Sequence, residues 1–99
     1  MIYLVTYDVP QEYNPIRTRI AQVLKNWGLD RLQYSVFVGE LTRNEAETIA
    51  LRIKDILGTA PADVRMVPIC KNCLDTILVV SENQVQEMAE DELSGVTLI

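Results

Sequence analysis

A chain of 99 residues, 48% of them hydrophobic, carries a formal net charge of −5, two cysteines and no histidine. That length supports one domain with a modest core and not two, and the lack of histidine excludes Ser-His-Asp and Cys-His catalysis together with the commonest zinc ligands. Nine basic residues meet nine acidic ones up to Ser81 and five further acids, Glu82, Glu87, Glu90, Asp91 and Glu92, follow without a base, so nucleic-acid binding would need a local cluster of arginines, not a general positive excess.

The first ten residues, Met1 to Pro10, read M-I-Y-L-V-T-Y-D-V-P. Their β-branched and aromatic content predicts a largely buried, central strand. Asp8 is a lone carboxylate where this strand runs into a loop, a place where α/β proteins often put chemistry. Its ordinary alternative is an Asp that bonds the amides of the next turn. The loop V-P-Q-E-Y-N-P follows, with Asn14 as the expected N-cap and Pro15 as the first residue of a helix running to about Trp27. Ile16, Ile20, Val23, Leu24 and Trp27 form one apolar stripe, which Gly28 ends. Arg17 and Arg19 flank that stripe on opposite sides, where long side chains pack their stems and keep their charges in water.

Leu29 to Leu41 is rich in strand formers, with Leu32, Tyr34, Val36 and Val38 alternating against Gln33, Ser35, Phe37 and Gly39. The pattern fits one long strand or two short ones bent around Tyr34 and Ser35, and places Phe37, the chain's only phenylalanine, on the more polar face. Core packing is the ordinary outcome for such a ring; base stacking or an interface contact is the functional one. Arg31 stands where this segment begins. Thr42 and Glu45 form a capping box, with Leu41 and Ala46 as its hydrophobic staple, ahead of a helix buried along Ala46, Ile49, Ala50, Ile53 and Leu57 and ended by Gly58. Val64 to Ile69 reads as a strand, and Pro68 puts it at an edge or marks its end.

Cys70-Lys71-Asn72-Cys73 is a single C-x-x-C. Zinc would need two more ligands, available only if two copies pooled theirs. A redox C-x-x-C opens a helix, whereas Leu74 and Ile77 to Val80 read here as another strand, which favours two reduced thiols at a tight turn. Ser81 and Gln84 mark the start of a short acidic helix, and V-T-L-I ends the sequence as an apolar segment seeking a sheet edge. No apolar run approaches the ~20 residues of a membrane span and no basic leader precedes the first strand, so the expectation is a cytoplasmic protein without a membrane partner.

This order predicts an α+β fold: a ferredoxin-like βαββαβ domain over residues 1–80, with a four-stranded antiparallel sheet and both helices on one face. Residues 81–99 add an acidic helix and an extra C-terminal strand for dimer or partner contact. The bare sheet face calls for a two-fold homodimer, which would bring two copies of Asp8 together.

At this point the sequence resembles the CRISPR-associated protein 2 family. The resemblance runs over about Met1 to Val80 and rests on Y-D-V ending the first strand, R-T-R in the first helix, W-G-L before R-L-Q-Y-S-V-F-V-G-E-L, and V-R-M-V-P-I-C-K-N-C after the second helix. It implies two strands in the 29–41 segment, a dimer with exchanged C-terminal strands, and Mg²⁺ or another divalent cation at the aspartate matching Asp8. It also implies nucleic-acid contacts at Arg17, Arg19, Arg31 and Phe37, and Mg²⁺-dependent cleavage of single-stranded RNA or of DNA. A place as central subunit beside a CRISPR integrase in spacer acquisition is implied as well. The acidic tail departs from the family pattern. The alternatives are a purely structural DNA-binding scaffold bridging integrase subunits and a toxin-like small ribonuclease.

Overall fold

The computed structural model describes residues 1–82. In chain order these form β1 (Ile2–Asp8), a 3-10 turn (Gln11–Tyr13), α1 (Asn14–Asn26), β2 (Asp30–Gln33), β3 (Val36–Glu40), α2 (Arg43–Leu57), β4 (Asp63–Ile69) and α3 (Lys71–Asp75). The four strands make one antiparallel sheet in the order β2-β3-β1-β4, the ferredoxin-like arrangement. The acidic helix after Ser81 and the V-T-L-I strand lie outside the described residues.

Strand β1 is central, as its composition predicts. Tyr3, Val5 and Tyr7 are buried beneath the helices while Ile2, Leu4 and Thr6 are half-exposed on the opposite face, the two-residue period of a strand with one covered side. Antiparallel pairing passes that division to the neighbours. Phe37 and Met66 lie opposite Val5 and share its helix-facing side, whereas Val36, Val38, Arg65 and Val67 share the open face with Leu4 and Thr6. The core is completed by Ile20, Ala21, Val23 and Leu24 of α1 and Ala46, Ile49 and Ile53 of α2.

The second helix begins as its sequence predicts. Thr42 Oγ1 accepts the Glu45 amide at 3.1 Å and Glu45 Oε1 accepts the Thr42 amide at 2.8 Å, the reciprocal bonds of a capping box. Ala50, expected in its buried stripe, is exposed. The first helix starts differently from expectation. Tyr13, not Asn14, is its N-cap, because the 3-10 turn feeds directly into α1 and Asn14 already has helical backbone angles. Asn14 Oδ1 therefore accepts from Arg17 Nη1, at 2.7 Å, instead of capping an amide. At the other end Gly28, at φ 86°, turns the chain out of α1, and Trp27 is its partly exposed C-cap instead of a core residue.

The 29–41 segment is two strands joined at Tyr34 and Ser35, with a bulge between Arg31 and Gln33. Turn and bulge break the single alternation read across it, so the expected sides are reversed. Phe37 faces the helices and is fully buried, while Val36 and Val38 face out. Gly39 lies opposite Tyr3 on the covered side, and a Cβ built there would stand 2.8 Å from Leu29 Cγ; only glycine permits that approach.

A second correction concerns the chain after β4. Leu74 and Ile77 to Val80 do not form a strand; Cys70 caps the short helix α3, and residues 77–80 run irregular and exposed. Cys70 Sγ accepts the Cys73 amide at 3.3 Å, and that local side-chain to backbone bond competes with a ladder for the same amide. Pro68 is accommodated because β4 is an edge strand.

Candidate functional site

Asp8 ends β1 with an exposed side chain on the open face. Directly opposite it across the β1–β4 ladder stands Asp63. Two like charges in facing positions repel, and the structure answers with Arg65, two residues along β4 on the same face. Its Nε and Nη2 donate to Asp63 Oδ1 and Oδ2 at 2.8 and 3.0 Å, a two-pronged fork. That hydrogen-bonded guanidinium holds the Asp63 carboxyl below the usual carboxylate range. Asp63 is thereby committed to Arg65, leaving Asp8 as the carboxylate that faces outward without such a clamp. Sequence reading singled out neither Asp63 nor Arg65, because only the register of β4 against β1 brings them beside Asp8.

Arg17 and Arg31 converge on the Tyr34 ring, not on Asp8. Arg17 Nη2 donates to the Val9 carbonyl, just past Asp8, and its guanidinium lies 5.4 Å from the Tyr34 ring centre. Arg31 Nη1 donates to the Tyr34 carbonyl at 2.9 Å, with its guanidinium 5.8 Å from the Tyr34 ring and 4.9 Å from that of Phe37. Arg31 pairs with Phe37 across the β2–β3 ladder, so it belongs to the helix-facing side. The same turn is tied to β1 by Tyr7, whose amide donates to the Ser35 carbonyl at 3.0 Å. These arginines therefore fasten the loop after Asp8 and the β2–β3 turn at the Asp8 end of the sheet, with the exposed carboxylate on the other face.

Phe37 is not a contact residue for nucleic acid. Its ring is 0% exposed and lies 6.3 Å from Tyr7, centre to centre, and a base cannot stack on a face already covered by core and guanidinium. The partly exposed aromatic of the cluster is Tyr34. Arg19 is exposed on α1 and is the candidate cation that projects into solvent.

Among the described residues no three His, Cys, Asp or Glu side chains gather as a metal cage. Mg²⁺ asks less of a protein, since one or two carboxylates with water and phosphate oxygens complete its six positions. An exposed Asp8, with its like-charged neighbour neutralised by Arg65, fits a site to which each chain supplies one carboxylate. Among the described residues no helix is long and apolar enough to cross a membrane.

Comparison with known proteins agrees with the fold. The family model of CRISPR associated protein Cas2 matches residues 1–77. The chain is 33% identical over 90 residues to a CRISPR-associated endoribonuclease Cas2 of Archaeoglobus fulgidus, covering 91% of this chain and 94% of that protein. It is 32% identical over 78 residues to part of a Cas1/Cas2 endonuclease fusion of Thermoproteus tenax, covering 79% of this chain and 29% of the fusion. The crystal structure of Streptococcus pyogenes Cas2 superposes with a TM-score of 0.69 at 30% identity, covering 82% of this chain and all of that one.

Proposed function

Because the chain belongs to the CRISPR-associated Cas2 family, we propose that it is a dimeric, Mg²⁺-dependent endonuclease subunit of CRISPR adaptation, cleaving single-stranded RNA or DNA. The observation that carries this reading is Asp8, an exposed carboxylate at the end of the central strand. A two-fold axis near β1 would set two Asp8 side chains on one cation. When bound, Mg²⁺ supplies a lowered pKa to a water and offsets charge on the scissile phosphate.

The chain's own residues do the rest. Asp8 brings negative charge to the cation. Arg65 neutralises Asp63, so that a phosphate approaching Asp8 meets less repulsion. Arg17 and Arg31 hold the Val9 loop and the Tyr34 turn, which fixes the end of β1 from which Asp8 projects. Arg19 offers an exposed charge to the nucleic-acid backbone.

Replacing Asp8 by Asn keeps shape and hydrogen bonding but removes the charge the cation needs. Cleavage of single-stranded RNA and DNA in Mg²⁺ should fall by at least ~100-fold, while circular dichroism and oligomeric state stay unchanged. Parent-like cleavage by this variant would remove Asp8 from the chemistry.

The Thermoproteus tenax fusion, in which Cas1 and Cas2 are one chain, favours a second role beside the first, that of a structural subunit working with a Cas1 partner. Spacer integration with such a partner, measured with the Asp8→Asn protein, separates the two. Retained integration with lost cleavage assigns the chain to the scaffold role in adaptation, and loss of both places Asp8 chemistry within it.

A further inference from the structure

The C-x-x-C lies at the end of β4 remote from Asp8. Ile69, just before Cys70, pairs with Ile2, whereas Asp63 pairs with Asp8; six residues of strand put about 20 Å between the two places. Nothing in the nuclease reading uses these thiols. Both are free and exposed, and their sulfurs stand 3.1 Å apart.

Sequence alone argued against redox chemistry on the ground that a strand follows the motif. The structure removes that ground. Cys70 is the N-cap of α3, and Cys73 sits within its first turn. One helical turn brings residues three apart to about 5–6 Å between Cβ atoms, so a modest approach of the sulfurs closes a disulfide without remaking the backbone. The hydrogen bond between the two thiols, helped by the Cys73 amide, lowers the Cys70 thiol below its ordinary range, and the same sulfur contact raises Cys73. The two sulfurs are thus differentiated into an attacking and a resolving thiol. Zinc fits less well, because two thiolates supply half of a structural site and no third His, Cys, Asp or Glu joins them among the described residues.

Closing that bond has a structural consequence. An extended chain would separate Cα70 from Cα73 by about 10 Å, beyond the ~7 Å a disulfide spans. The disulfide is therefore compatible with the α3 turn and incompatible with an extended chain through Cys70–Cys73.

We propose that Cys70 and Cys73 are a redox-active dithiol that exchanges with low-molecular-mass disulfides of the glutathione class, closing an intramolecular disulfide that locks the α3 turn where the chain leaves β4. The Cys70 thiolate attacks one sulfur of the reagent, forming a mixed disulfide and releasing one thiolate. Cys73 then loses its proton to solvent and attacks the Cys70 sulfur, expelling the second thiolate. Both leaving thiolates take up protons. Two electrons pass from the dithiol to the reagent, giving one protein disulfide and two glutathione molecules.

The test equilibrates the full chain in mixtures of reduced and oxidised glutathione and reads the products by intact mass after acid quench. The parent should lose two hydrogens, retain no glutathione, and close its ring with an equilibrium constant at least ~10-fold larger than the same chain unfolded in urea. Cys73→Ser should trap one glutathione on Cys70, and Cys70→Ser should react at least ~10-fold more slowly than Cys73→Ser. Amide exchange at Cys73, Leu74 and Thr76, whose N–H groups bond within this turn, should slow on oxidation. Equal ring-closure constants folded and unfolded, or equal rates for the two serine variants, would overturn the redox assignment. Unchanged exchange on oxidation would overturn the lock.

Discussion

At the scale of single residues the Asp8 end of the sheet is built from paired opposites. Asp63 faces Asp8 and would repel it, and the Arg65 fork answers that repulsion. A carboxyl held below its unfolded value adds stability that is present above the ordinary carboxylate pKa of ~3.9 and is lost as pH falls through the lowered folded value. In Arg65→Met the Asp63 titration, followed by carboxyl carbon NMR, should therefore move upward toward the ordinary value. The small stability difference between parent and variant should be present at neutral pH and vanish in acid. An Asp63 midpoint unmoved by the substitution would show that the fork seen here does not persist in solution. Arg17 belongs to this scale as well. Its bonds to the Val9 carbonyl and Asn14 make it a positioning residue, a role hidden in the sequence because its partners are a main-chain oxygen and a residue read as a cap.

Among the elements, β3 shows most clearly how tertiary contact overrides local pattern. Its alternation was visible, but which face turns inward was set by pairing with β1, where Phe37 meets Val5 and Gly39 meets Tyr3. The closeness of β3 to Leu29 gives a direct test. Gly39→Ala places a methyl 2.8 Å from Leu29 Cγ and 3.1 Å from its Cα, and overpacking of this kind costs about 1–3 kcal/mol. Urea denaturation should show that loss, and in a Leu29→Ala background the penalty should shrink, because neighbouring substitutions that share one clash are not additive. Full additivity would mean that the β3 backbone relaxes elsewhere. Helix α2, by contrast, was legible down to its cap, since Thr42 and Glu45 satisfy one another within four residues of sequence.

For the whole molecule the open sheet face matters most. Ile2, Leu4, Val36, Val38 and Val67 line it, with Val67 41% exposed. A contiguous apolar face on so small a chain marks an interaction surface, and the proposed two-copy Asp8 site needs that surface to be the two-fold interface. Light scattering after size exclusion should give twice the mass of one chain. Leu4→Lys should yield a folded monomer that has also lost Mg²⁺-dependent cleavage, because each copy then offers one Asp8 alone. A Leu4→Lys protein that is monomeric yet cleaves as the parent does would separate catalysis from dimerisation.

The sequence by itself determined the order of the elements as far as β4, except whether residues 29–41 were one strand or two, and with it the central place of β1, the capped start of α2 and the ends at Gly28 and Gly58. Each of these follows from residues close together in the chain, through periodicity, capping or glycine's freedom at positive φ. Asp8 was legible for the same reason, as a carboxylate ending an apolar strand. Only the tertiary structure decided that Asp63 and Arg65 attend Asp8, that Arg17 and Arg31 gather around Tyr34, and that Phe37 is core. Those contacts join residues far apart in the chain, as Asp8 and Asp63 are, through strand register, and register is fixed by which faces the helices cover. The C-x-x-C lies between the two cases: its spacing was plain, but only the structure showed its backbone turned, with the Cys70 sulfur accepting the Cys73 amide just past the end of β4.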